Sequence, residues 1–137
     1  MLAENTVLTG RRAITRSYAK INLTLDVLSK RENGYHDIKM IMQTVSLFDL
    51  ILVDKTHRGI SISTNLPYLP CNEKNIAYKA ADAFFKATGI RGGTKIVIHK
   101  NIPVAAGLAG GSGNCAAVLT AMNMLHGNPL SNEELMH

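Results

Sequence analysis

Sulfur, aromatic rings and long apolar runs are all scarce in this chain. Of its 137 residues only two are cysteine and none is tryptophan, and four tyrosines with three phenylalanines complete the aromatic set. Cys71 and Cys115 have neither a metal-type spacing nor partners for a disulfide framework. No apolar run is long enough to cross a membrane as a helix. The few aromatics are never interleaved with several bases, so a nucleic-acid surface finds no support. Apolar residues make up 46% of the chain and charged residues 18%, the balance of a globular domain. The formal charge of +5 is carried by scattered bases, among them Arg11, Arg12, Arg16, Lys30 and Lys95. That surplus suits an anionic ligand without demanding one. Met1 to Arg12 lack the apolar centre of a signal peptide, so the cytoplasm is the expected compartment. The length suits one domain with a core of its own.

Hydrophobic periodicity predicts the elements. From Ile14 to Val27 the chain alternates: Ala19, Ile21, Leu23, Leu25 and Val27 on one face, Tyr18, Lys20, Asn22, Thr24 and Asp26 on the other. This is the pattern of a half-buried strand. Ser29 to Asp37 reads as a polar loop with a hairpin signal at Asn33-Gly34. Ile38–Val45, Leu50–Val53, Ile60–Thr64 and Thr94–His99 read as strands, and Pro67 to Asn72 as a loop. Asn75 is placed to cap a helix whose stripe is Ile76, Ala77, Ala80, Ala81, Phe84 and Phe85, with Gly89 as its stop. A second helix is expected from about Ser112 to Leu125, ending near Gly127 and Pro129. Ser131 to Glu134 is a capping-box pattern that announces a further helix close to His137, so the chain reads as the front portion of a longer protein.

The segment from Pro103 to Ala117, P-V-A-A-G-L-A-G-G-S-G-N-C-A-A, lies between an expected strand and an expected helix. Its glycines, Gly107, Gly110, Gly111 and Gly113, allow close approach to a run of backbone N–H groups. The helix N-terminus adds the positive end of a dipole, and the two together suit phosphate. The spacing matches neither a Walker loop nor a dinucleotide fingerprint. Taken alone, the segment reads equally as a flexible connection. Cys115 reads as a small packing residue, with a reactive thiol at a helix start as the lesser alternative.

Three motifs together narrow the reading. S-Y-A-K-I-N-L-T-L from Ser17, G-Y-H-D-I from Gly34 and the glycine-rich segment resemble the 4-diphosphocytidyl-2-C-methyl-D-erythritol kinases. These belong to the superfamily of galactokinase, homoserine kinase, mevalonate kinase and phosphomevalonate kinase, the GHMP kinases. The resemblance runs from Tyr18 to His137. It implies an α+β domain of the ribosomal-protein-S5-domain-2-like type over residues 1–137, incomplete at its C-terminal end. The implied activity is ATP- and magnesium-dependent phosphorylation of the 2-hydroxyl of a cytidine-diphosphate-linked methylerythritol, in non-mevalonate isoprenoid precursor synthesis. The implied partners are small molecules, with neither nucleic acid nor membrane. The alternative is a non-catalytic nucleotide- or RNA-binding domain of the same fold; an RNA binder would have no use for the three motifs together.

By the same resemblance Lys20 is the active-site lysine near the acceptor hydroxyl, and Asn22 contacts substrate. Tyr35 stacks on cytosine and His36 recognises its edge. Pro103, Gly107, Leu108, Ala109, Gly110, Gly111, Ser112, Gly113 and Asn114 form the ATP phosphate loop. Asn75 and Ile76 fall at the adenine and ribose pocket, and Lys100 lies near it. Met42 stands where a bulkier aromatic occurs in the family. No metal ligand is assigned. The family's catalytic aspartate belongs to a later G-A-D-V-P-like segment, which none of Asp26, Asp37 and Asp49 matches. The chain alone is therefore expected to bind nucleotide weakly and not to turn over at a useful rate. Measurable ATP-dependent phosphorylation by residues 1–137 alone would overturn this expectation.

Overall fold

In a computed structural model the structure describes residues 3–30, 36–104 and 110–136, with side chains placed in 4–20, 44, 46–104 and 110–136. After a 3-10 turn at Ala3–Asn5 come strands β1 (Thr6–Thr9), β2 (Arg12–Lys30), β3 (His36–Thr56) and β4 (Gly59–Thr64). Helix α1 (Ile76–Thr88), strand β5 (Gly93–His99) and helices α2 (Gly110–Leu125) and α3 (Asn132–Leu135) complete the chain. The strands form one sheet in the order β1-β2-β3-β5-β4. All neighbours are antiparallel except β4 and β5, which α1 joins as a parallel crossover. This mixed sheet with packed helices is the expected α+β architecture.

The alternation read in the first strand holds where side chains are placed. Ala13, Thr15, Ser17 and Ala19 are buried, whereas Arg16 and Lys20 are exposed. The strand is longer than expected and its register is not uniform. Pairing shifts between Tyr18 and Lys20, between Asn22 and Thr24, and between Val27 and Ser29. Bulges of this kind break strict period two, so one alternation cannot extend across residues 14–27. The strands expected at Ile38–Val45 and Leu50–Val53 are one element, β3. The apparent gap coincides with the first shift, where Tyr18 pairs with Phe48 but Lys20 with Thr44. The expected polar loop is shorter too, because Ser29 pairs with Asp37 and Lys30 with His36. Backbone pairing needs no apolar side chain, so polar residues extend the ladder. The turn signal Asn33-Gly34 lies outside the described residues. β1 escapes the periodicity because only Thr6 of its four residues is buried.

Small residues control how closely the helices pack. α1 buries Ala77, Ala80, Ala81 and Phe84, and α2 buries Ala117, Val118, Ala121 and Met122. These pack with Ile51, Val53, Ile96 and Ile98 of the sheet into one core. Phe84, 1% exposed, is its largest side chain, and such burial contributes about 1.5–3 kcal/mol. Of the other members of the α1 stripe, Ile76 is exposed and Phe85 is partly buried and packs against the core. The helix limits follow the cap residues. The Asn75 side chain accepts from Ala77 N–H, and Gly89 at φ 69° donates to the Phe85 carbonyl. Ser131 and Glu134 form the expected capping box.

His126 follows α2 directly, its ring centroid 5.5 Å from that of Phe84 and 6.1 Å from that of Phe85. Burial, then the charge of Lys55, hold its pKa below the ordinary histidine value. As pH falls the unfolded chain therefore takes this proton before the folded one does. The stabilisation is complete above about pH 6.5, the unfolded value, and is lost as pH falls through the folded value. The urea midpoint should drop between about pH 7.5 and pH 5, and the variant His126→Phe should lack that share of the drop. An identical decline in the variant would exclude His126 as the cause.

Candidate functional site

The end of β5, the start of α2 and the middle of β2 converge on one region. α2 begins at Gly110, two residues before the expected start at Ser112. The first four N–H groups of a helix lack acceptors within it, and the positive end of the dipole lies there. A 16-residue helix thus opens within the glycine-rich segment. Pro103 and Val104 precede it and are exposed. Gly107, Leu108 and Ala109 lie outside the described residues.

The glycines here serve two different purposes. A β-carbon on Gly110 would lie 3.2 Å from Ile102 Cγ2 and 3.4 Å from Lys100 Nζ, and one on Gly113 would lie 2.6 Å from Ser17 Oγ. Both glycines let α2 press onto the sheet. A β-carbon on Gly111 would meet nothing within 4 Å, and Gly111 and Ser112 are both exposed. Those two form the open side of the turn. Cys115, one turn further in, is half-buried, and burial raises its thiol pKa. That supports packing over reactivity.

Beneath the turn lies a buried polar centre. Asp49 is fully buried, and Lys100 and Asn114 are nearly so. Lys100 Nζ donates to Asp49 Oδ2 at 2.5 Å. Asn114, with its amide oriented to satisfy its neighbours, accepts from Lys100 Nζ at 3.0 Å and donates to Asp49 Oδ2 at 3.1 Å. Lys100 is also held by its backbone: its N–H donates to Asn65 Oδ1 at 2.7 Å, and its carbonyl accepts from Asn65 Nδ2 at 3.1 Å. Its ammonium is thus engaged inside the protein. Asn75 is similarly committed, its Oδ1 accepting from Ala77 N–H and its Nδ2 donating to the Pro70 carbonyl. Both side chains are thus engaged within the fold. Ile76, beside the cap, is 43% exposed and offers an apolar surface.

Of the residues expected to meet substrate, Lys20 is exposed on β2 opposite Thr44. Asn22 follows in unbroken register opposite Met42. His36 opens β3 at the far end of the same ribbon, paired with Lys30. Tyr35 lies outside the described residues. The ribbon thus carries Lys20, Asn22 and His36, while α2 carries Gly110 to Asn114. Asp49 is the residue that sequence reasoning passed over. The available signal was its phase, because Asp49, Ile51 and Val53 alternate on the buried face of β3.

Residues 75–137 match the model of the GHMP kinases N terminal domain. The chain is 50% identical over 122 residues to a 4-diphosphocytidyl-2-C-methyl-D-erythritol kinase of Clostridium botulinum (strain Alaska E43 / Type E3), covering 89% of this chain and 44% of that relative. Among solved structures, a 4-(cytidine 5'-diphospho)-2C-methyl-D-erythritol kinase superposes with a TM-score of 0.75 at 35% identity, over 89% of this chain and 44% of the other. A homoserine kinase from Cytophaga hutchinsonii superposes with a TM-score of 0.73 at 20% identity, over 94% and 40%, and shares the fold. The chain spans under half the length of the curated relatives it matches.

Among the described side chains, Ser17 Oγ is buried without a hydrogen-bond partner. It occupies the space that a side chain on Gly113 would need. Gly113→Ala should destabilise the chain by about 1–3 kcal/mol through overpacking, despite the better helix propensity of alanine. Ser17→Ala should be neutral or stabilising, since it removes an unpartnered buried hydroxyl. The double variant should regain the stability of Ser17→Ala in thermal unfolding. A double variant no more stable than Gly113→Ala would refute the close packing of these two residues.

Proposed function

We propose that this chain, whose residues 75–137 match the GHMP kinases N terminal domain, provides the ATP-binding half of a 4-diphosphocytidyl-2-C-methyl-D-erythritol kinase. The half identity to a relative of that name across 89% of the chain is the observation that carries this reading. The reaction would move the γ-phosphoryl group of ATP to the 2-hydroxyl of the methylerythritol unit. The whole protein would work in the cytoplasm, where ATP is available.

Phosphoryl transfer asks a protein for positioning and charge stabilisation rather than covalent chemistry. The start of α2 supplies both for ATP. Its free N–H groups and dipole favour phosphate oxygens, and Gly111 and Ser112 leave their side open. Ile76 would lie against the base. Lys20, exposed on β2, would bring a positive charge to the transferred phosphoryl group from a rigid element. Asn22, Tyr35 and His36 would orient the cytidine-linked substrate along the ribbon. Magnesium would arrive with the ATP phosphates and neutralise part of their charge.

The test uses the chain joined to the remaining length of its relatives. The wild-type protein should convert the diphosphocytidyl substrate to a 2-phosphate with ATP, as followed by phosphorus NMR. Lys20→Met should lower kcat by about 10²–10³-fold, the usual loss when one preorganised charge contact is removed. Full activity in Lys20→Met would remove Lys20 from the site. Turnover of homoserine or mevalonate, but not of the cytidine-linked substrate, would refute the assignment.

A further inference from the structure

One carboxylate touches both ends of the glycine-rich segment. On the side leading into the segment, Asp49 Oδ1 accepts from the backbone N–H of Asn101 at 2.7 Å and of Ile102 at 2.8 Å. Lys100, one residue earlier, donates to Oδ2. On the side leading out, Asn114 of α2 donates to the same Oδ2 and also to the Gly110 carbonyl at 3.2 Å. The Asn101 side chain adds a bond to the Phe48 carbonyl at 2.9 Å, next to Asp49 in β3.

These four donors use the roughly four acceptor positions that a carboxylate offers. Asp49 is fully buried and is left no capacity for substrate or metal. Lys100 is neutralised by the same contact. A buried ion pair is weak evidence for stability, since an apolar pair often serves a fold as well. What an apolar pair could not do is accept two backbone N–H groups and the Asn114 amide at once. The arrangement ties the chain that follows β5 to the start of α2. A site whose backbone is held in place before a ligand arrives loses less conformational entropy on binding.

We propose that Asp49 is a positioning residue: it fastens Lys100–Ile102 to the first turn of α2, and so sets the affinity for ATP phosphates without touching them. The effect on affinity rests on the reading of the start of α2 as the phosphate site. Asp49→Asn keeps the shape but sets an amide against either the backbone donors or the Lys100 ammonium, so one end is released.

Hydrogen exchange on the whole chain, followed amide by amide, separates the alternatives. In Asp49→Asn the amides of the released side, Asn101 and Ile102 or residues 114–116, should exchange about tenfold faster or more, while those of α1 keep wild-type protection. Affinity for ATP with magnesium should fall about tenfold in the same variant. Unchanged exchange at residues 101, 102 and 114–116, or faster exchange spread evenly over the chain, would overturn the fastening role. If Asp49→Asn does not fold, Asn114→Leu decides. It should loosen residues 114–116 and weaken ATP binding while leaving Asn101 and Ile102 protected, and no change in either measurement would overturn the proposal. Wild-type chain that binds no ATP would refute the phosphate reading and the affinity claim with it, whereas the exchange pattern would still decide the fastening.

Discussion

The close approach of α2 to β2 is the constraint on which the rest of this structure depends. β2 presents Ala13, Thr15, Ser17 and Ala19 inward, and α2 answers with Gly113, Ala117 and Ala121. Larger residues on either side would lift the helix off the sheet. Its N-terminus would then move away from the strand that carries Lys20. The same packing gives two of the segment's glycines a structural purpose. Gly110 and Gly113 are small because Ile102, Lys100 and Ser17 crowd them, whereas Gly111 faces open space.

A helix packed this closely brings its first polar residues into the interior, where they need partners. Asn114 is 4% exposed and Lys100 9%. The carboxylate of Asp49 satisfies both, together with two backbone amides, in a place where an unmatched polar group would be costly. Ser17 Oγ, across the register from Asp49, stays unpartnered. The polar centre and the exposed turn above it are therefore two sides of one arrangement.

Much of this was legible in the residues, and the failures have physical causes. Asn75, Gly89 and Ser131 announced helix ends because capping is local chemistry, satisfied within a few residues. The inward face of β2 was legible up to Ala19, before bulges shifted the register. β1 was not, because a strand with one buried residue has no apolar pattern to read. Asp49 was passed over because an aspartate suggests surface. Its burial depends on Lys100 and Asn114, which lie more than fifty residues away in the chain. The glycines suggested a phosphate loop, but which of them are packed and which are open depends on Ser17 and Ile102, which the segment itself does not contain.

The central claim is that the opening turn of α2 receives the phosphates of ATP. Titration of ATP with magnesium into the isotopically labelled chain, followed through backbone amide signals, tests it most directly. The amides of Gly111 and Ser112 should shift progressively and saturate, while that of Gly89 at the distant end of α1 stays still. Signals that move instead around Arg11 and Arg12, without saturation, would mean diffuse attraction to a basic surface and would contradict the claim.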